Sequence, residues 1–276
     1  MTAVLRDAAG RAIAALHPGD DIAAAHAPRP YVTVTTPGGA AVTDTMPEDH
    51  RHHFGVSVTT PDVAGTNFWG GSTFVSGVGP SMLDNHGRQT VDEQTVSADG
   101  ARQLISWWDR HGERVLTERR AIDVRSIAGH PALTWRSSLS AERDGVSIGS
   151  SHTNGRPGAF YGGIFWRTPF ARADVRTIDG RGAAAAHGSS SPWLIVSGPD
   201  AALVAVTGSG LPWFVRADGY VGFGPAIAAQ SRRAVERGAP LDLDLAVVVI
   251  DGAPDDAALD DVVAALLTRT HPEVSA

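Results

Sequence analysis

Short runs rich in Val, Ile, Thr, Phe and Trp, each cut off by Gly or Pro, constrain this chain more than any other feature. The 31 Gly and 17 Pro are spread along the whole length and are not gathered into one linker. This is a strand-and-turn texture. It predicts strands over 31–35, 56–60, 103–108, 115–124, 132–140, 162–167, 193–197, 203–207, 213–216 and 241–249. Ten or more strands at a spacing of roughly 8–15 residues favour a large antiparallel sandwich or barrel. In LTWRSSLS, Leu133, Trp135, Ser137 and Leu139 share one face while Thr134, Arg136, Ser138 and Ser140 share the other. One face packs and the other meets solvent or ligand.

Helix signals appear only toward the ends. Residues 20–25 give a weak one. Residues 255–269 give a strong one, with acidic residues in the first turn, Arg269 in the last, and Leu259, Val262, Val263, Leu266 and Leu267 on one stripe. A short C-terminal helix should therefore dock on the sandwich. The expected fold is all-β, a single β-sandwich domain over 1–276 with that helix appended. A hydrophobic fraction of 42% against 19% charged residues is enough for a large core.

The formal net charge is -7, and basic residues occur at most in pairs, as at Arg119-Arg120 and Arg232-Arg233. A nucleic-acid partner needs a concentrated positive face, so none is expected. No apolar stretch approaches the roughly 18 residues of a membrane-spanning helix. Arg6, Asp7 and Arg11 interrupt the N-terminal segment where a secretion signal needs an apolar core, which argues for a cytoplasmic protein. Cysteine is absent, which removes disulfides, thiolate ligands and a Cys nucleophile together. Any metal would be held by His, Asp or Glu. A homo-oligomer is compatible with this composition.

The densest chemistry is PEDHRHHFG, residues 47–55, just before the apolar run VSVTT. In an extended segment side chains alternate, so His50 and His52 converge and His53 faces elsewhere. Three readings stay open. His50, His52 and His53 with Asp49 or Glu48 could hold a divalent metal such as zinc, iron or manganese, although the cupin pattern of His-x-His and a nearby Glu is missing because Phe54-Gly55-Val56-Ser57 follows. One or more of the imidazoles could act as acid, base or sugar-binding group. Or the loop is simply solvated.

Two further segments are candidates. NFWGG offers Asn67 and Trp69, and the turn SMLDNHGRQ crowds Asp84, Asn85, His86 and Arg88 around a glycine. TNGRPGAFYGGIFWRTP holds Asn154, Phe165 and Arg167, with strand glycines that suggest close approach of a ligand or another backbone. Trp166 and Arg167 must project on opposite faces. Glu118 is a further strand carboxylate, for which ordinary exposure is the simplest reading.

These segments, together with RPYVTVTTPGGAAVTDTMPEDHRHHFGVSV and WFVRADGYVGFGPAIA, resemble the bacterial "methane oxygenase PmoA" family, a domain family of unknown function. The similarity runs from about Arg29 to Gly252, and its most specific element is Asp49, His50, His52, His53 and Gly55. The methane monooxygenase subunit of that name is an integral membrane protein and this chain has no membrane span, so that activity is not carried over. The resemblance implies a galactose-mutarotase-like β-sandwich and, by the family's company with sugar-acting oxidoreductases, a sugar-derived substrate.

The combined expectation is an intracellular enzyme acting on a sugar, oxidised sugar or glycoside by epimerisation, elimination, hydration or hydrolysis. His50 or His53, beside Asp49, exchanges a proton with His86 as partner. Arg29, Arg88 and Arg167, with Asn67 and Asn154, hold substrate oxygens, and Trp69 and Phe165 form an apolar wall. No resident cofactor is expected, unless the alternative of a metal-dependent enzyme with a divalent ion on His50, His52 and His53 holds, which is the second hypothesis for function. A non-catalytic carbohydrate-binding module is the third. All of this requires the imidazoles near residues 50 and 86 to line one concave surface.

Overall fold

A computed structural model describes residues 2–270. Among these residues, two large antiparallel sheets face each other. The seven-stranded sheet runs in the order Ala3–Arg6, Ala12–His17, Tyr31–Val34, Val56–Thr59, Gly163–Arg167, Gly222–Pro225, Trp213–Arg216. The nine-stranded sheet runs in the order Gly180–Arg181, Asp174–Thr177, Trp193–Ser197, Ala201–Val206, Leu241–Asp251, His130–Ala141, Arg114–Ile127, Gly100–Trp108, Arg88–Val96. The chain is an all-β sandwich with one C-terminal helix, as the strand-and-turn texture predicts.

Alternation decides what lies between the sheets. Trp135 and Leu139 turn inward on His130–Ala141, while Arg136 is exposed and Ser138 half-buried on the far face. Trp107, Trp135, Trp166 and Trp213 are all less than 2% exposed and belong to one core that both sheets share. Glu118 also points inward, which corrects the expectation of an exposed carboxylate. The strand's own period puts it on the Leu116 and Arg120 face. There Arg120 donates through Nε and Nη2 to both its oxygens (2.7 and 3.0 Å), and Trp107 and Ser137 donate as well.

The C-terminal helix Asp256–Thr270 lies on the outer face of the nine-stranded sheet. Leu259, Val262, Val263 and Leu266 pack there on Val204, Val206, Val248 and Ile250. This second cover explains why AALVAV, Ala201–Val206, is buried at every position and reads as an unbroken apolar run. Each of the four helix side chains contributes about 1.5–3 kcal/mol of burial as an upper estimate.

Two expectations fail locally. The weak helix at 20–25 shrinks to a 3-10 turn, Ala24–His26. Six strands of the two large sheets lie outside the predicted runs: Ala3–Arg6, Ala12–His17, Asp174–Thr177, Gly180–Arg181, Gly222–Pro225 and the polar Arg88–Val96, RQTVDEQTV. Arg88–Val96 forms the edge of the nine-stranded sheet, where exposure permits polar side chains and charge discourages pairing with another chain.

On the seven-stranded sheet the same alternation builds the floor of a site. Trp166 and Trp213 enter the core, so their neighbours Phe165 and Phe214 project from the outer face. Trp69 and Phe160 join them in a separate aromatic cluster that loops from several parts of the chain enclose.

Candidate functional site

Residues 47–55 do not run extended. The His50 N–H donates to the Pro47 carbonyl (3.0 Å), the His53 N–H to the His50 carbonyl (2.9 Å), and the Met46 N–H to the His53 carbonyl (2.8 Å). These tight turns override simple alternation, so His53 joins the other two histidines and does not face away. The His50 and His53 rings stack at 4.6 Å and 17°, and His52 meets His53 edge-on at 4.8 Å. Gly70 lets the neighbouring loop close on them. Its φ is +94°, and a Cβ there would lie 2.6 Å from the His26 carbonyl oxygen and 2.8 Å from the His52 Cβ.

Arg29 holds this arrangement from beneath. It is 1% exposed. Its Nη2 donates to the His52 carbonyl (2.6 Å), its Nη1 to the carbonyls of His26, Ala27 and Trp69, and its Nε to the Ser57 hydroxyl, while Phe54 lies 5.0 Å from the guanidinium. Burial lowers its pKa to about 9, which leaves it cationic at neutral pH. Arg29 therefore staples two loops together and does not hold substrate. Asn67 has a similar task. Its side-chain oxygen accepts the N–H groups of Trp69 and Gly70 (2.8 and 2.9 Å), and its amide donates to Thr73.

The histidines open on a cleft of about 270 Å³. Trp69, Tyr161, Tyr220, Arg156 and Arg216 complete the part that carries chemistry. Phe214 lines the cleft, and Phe165 is buried behind the lining with its ring 5.1 Å from that of His53. His86 does not reach this cleft. Its Nε2 lies 2.7 Å from the Gly71 carbonyl oxygen, and with Arg88 it lines a different groove beside Met82 and Asp84. Arg88 instead sits over Trp108 at 5.8 Å. The loop through Asn67 to Gly71 stands between the two places, so the expected His50 and His86 pair does not form. Asn154 is also elsewhere, donating to Asp62 (3.0 Å) and accepting from Arg232 (3.2 Å).

Trp166 enters the core and Arg167 takes the opposite face, as alternation requires. Arg167 is nonetheless buried, 6% exposed, under Tyr220 at 4.8 Å. Its Nη2 reaches both Asp49 oxygens (3.3 and 3.4 Å), while Nε and Nη1 are buried without a partner. Asp49 Oδ2 lies 2.9 Å from His50 Nδ1. Burial of Asp49 acts to raise its pKa, but the His50 hydrogen bond and the Arg167 charge outweigh this and hold the carboxyl below its usual value. An ionised Asp49 only accepts, so His50 carries its proton on Nδ1 and leaves Nε2 as the basic nitrogen.

Burial, then the Arg29 charge, lowers the His52 pKa to about 3. Burial and the neighbouring imidazoles push His53 further still below its usual value. Both rings are neutral under ordinary conditions. His53 is 1% exposed and its Nδ1 has no partner, a buried polar atom of the kind that water or ligand normally satisfies. Burial raises the Tyr220 phenol to about 12, so it remains a hydrogen-bond donor. Neutral imidazoles suit a metal, yet stacked rings cannot aim their in-plane lone pairs at one point. Among the described residues, no three His, Cys, Asp or Glu side chains are grouped to hold a metal ion.

A family model covers residues 3–264 and is described as a family of unknown function (DUF6807). The chain belongs to this family. The match runs the length of the sandwich and takes in every residue of the cleft. Nothing in it supports the methane oxygenase label suggested by the sequence resemblance. No protein of curated function matches the chain. No helix among the described residues is long and apolar enough to cross a membrane.

The residues that sequence reasoning missed are Tyr161, Tyr220, Arg156, Arg216 and Phe214. One signal was available: the chain has only three tyrosines, and two of them line this cleft.

Proposed function

We propose that the chain is an enzyme that moves a proton on a sugar or oxidised sugar, with His50 as the base. The observation that carries this reading is the chain of contacts from Arg167 through Asp49 to His50 at the wall of an aromatic-lined cleft. A carboxylate on Nδ1 fixes the tautomer and stabilises the imidazolium once Nε2 has taken a proton. Tyr220, with its ring 4.7 Å from that of His50, is the donor for an oxygen that gains charge as the proton leaves. His53 offers its unpartnered Nδ1 to a substrate hydroxyl.

At about 270 Å³ the cleft lies just below the roughly 300–1,000 Å³ of typical ligand pockets, and so suits a monosaccharide better than a chain of sugars. Its lining includes no Asp or Glu, whereas glycoside hydrolysis ordinarily uses two carboxylates across the bond. Epimerisation or elimination beside a carbonyl fits these groups better. The chain also contains no lysine, so a Schiff base is not available as an alternative route. The mutarotase-like resemblance adds support by analogy only. A non-catalytic module would present an exposed aromatic platform, but Trp69 is 5% exposed and titratable groups surround it.

The test is exchange of carbon-bound hydrogen with D₂O, followed by NMR over a panel of keto-sugars and uronates. His50→Asn should lower the exchange rate about 10²–10⁴-fold, and Tyr220→Phe should lower it by less. If His50→Asn exchanges as fast as the unaltered protein, His50 is not the base.

A further inference from the structure

Arg156 and Arg216 come from separate parts of the chain and meet at the same cleft. Most arginines of this molecule are already committed. Arg29 is tied to carbonyls, Arg120 to Glu118, Arg167 to Asp49 and Arg232 to Asp62. By contrast, neither the Arg156 nor the Arg216 guanidinium has a hydrogen-bond or ion-pair partner among the described residues. Other arginines without such a partner, among them Arg51, Arg119, Arg136 and Arg172, do not line this cleft, whereas these two do.

Both side chains start from fixed points. Arg216 ends the strand Trp213–Arg216, and its guanidinium lies 5.4 Å from the Phe214 ring, which orients its planar fork. Arg156 leaves a loop closed by its own N–H on the Ser151 carbonyl (2.8 Å) and by the Asn154 N–H on the Ser150 carbonyl (3.1 Å). The neighbouring Asn154, Asp62 and Arg232 network anchors that loop. Below them His53 keeps a buried Nδ1 without a partner, which itself points to a ligand in this cleft.

We propose that the ligand of the cleft is a monosaccharide carrying an anionic group, a carboxylate or a phosphate, which Arg156 and Arg216 bind between them. This rests on the sugar reading above and names its substrate class. Guanidinium forks match either oxyanion with paired, charge-assisted hydrogen bonds. With no carboxylate in the lining to repel the anion, its charge meets only positive and neutral groups.

Calorimetric titration of the 276-residue chain tests this, using glucuronate, galacturonate, glucose 6-phosphate, glucose and galactose. At least one anionic sugar should bind about ten-fold or more tightly than its neutral parent, with that preference weakening as salt is raised. Whether the uronates or the phosphate show it identifies the oxyanion. Arg156→Gln and Arg216→Gln should each weaken the anionic ligand by about ten-fold, the worth of one charge-assisted contact, and leave any binding of neutral sugars unchanged. Thermal unfolding of both variants should stay close to that of the unaltered chain, since neither guanidinium makes a hydrogen bond or ion pair with the described residues and Arg216 gives up only its contact with the Phe214 ring. Anionic sugars that bind no better than neutral ones, or not at all, overturn the proposal, as do arginine variants that keep the full preference. His50→Asn should retain the anion preference while losing hydrogen exchange, so failure of the acid/base reading shows separately from failure of this one.

Discussion

His52 and His53 show how much of the site's character is imposed by surroundings. Each would titrate near 6.5 in the unfolded chain, but burial keeps both neutral in the folded one, His52 down to about 3. The unfolded chain therefore takes up protons that the folded chain refuses, and stability falls as pH drops from about 6.5 toward 3. Each such histidine adds up to about 1.4 kcal/mol per pH unit to that slope. Urea unfolding followed between pH 7 and 4 should show the loss, and a His52→Asn, His53→Asn double variant should flatten it. Arg29 supplies the other residue-scale expectation. Arg29→Met abandons the carbonyls of His26, Ala27, His52 and Trp69 together, and hydrogen bonds to a charged group are worth about 1.5–3 kcal/mol each before relaxation. Its unfolding midpoint should fall by several kilocalories' worth, and ligand binding should weaken even where the chain stays folded. Binding that survives at full strength would mean the loops hold themselves.

At the scale of elements, segments with a strong period were legible and segments that depend on neighbours were not. Trp193–Ser197 and Trp213–Arg216 match the predicted bounds because apolar runs ended by Gly, Ser or Pro leave few alternatives. The C-terminal helix was legible for the same reason. Its docking should be cooperative with the sheet: Leu266→Ala, at a position with no exposure, is expected to cost about 2–5 kcal/mol by chemical denaturation while leaving ligand affinity intact, since the helix and the cleft lie on different sheets. A variant that unfolds like the parent would show the helix to be only loosely attached. The edge strand Arg88–Val96 escaped notice because an edge needs no apolar period. The histidine loop was misjudged because its turns are set by backbone hydrogen bonds that no alternation rule contains.

Across the whole molecule, the sandwich encloses a charged pair that its strands could have exposed. Glu118 and Arg120 sit between the sheets with Trp107 and Ser137. Removing one partner strands the other, so Glu118→Ala should destabilise by about 3–5 kcal/mol, whereas Glu118→Met with Arg120→Met should cost far less than the two single changes added together. A double-mutant cycle measured by unfolding checks this, and additive losses would mean the pair is not coupled. The same geometry separates this polar core from the cleft, which lies on the outer face of the seven-stranded sheet.

Alternation of apolar residues, turn chemistry and one amphipathic stripe depend only on near neighbours in the chain, and they determined the all-β class, ten of the sixteen strands in the two large sheets and the docked helix. The concentration of imidazoles at 47–55 was equally plain. Tertiary structure alone decided which candidates meet. His86, Arg88 and Asn154 left the site, Arg29 and Asn67 became its supports, and Tyr161, Tyr220, Arg156 and Arg216 entered it. The reason is that the walls of the cleft come from loops far apart along the chain, brought together by the pairing of Val56–Thr59, Gly163–Arg167, Gly222–Pro225 and Trp213–Arg216, and spacing in one dimension carries no record of which loops a sheet will gather at one end.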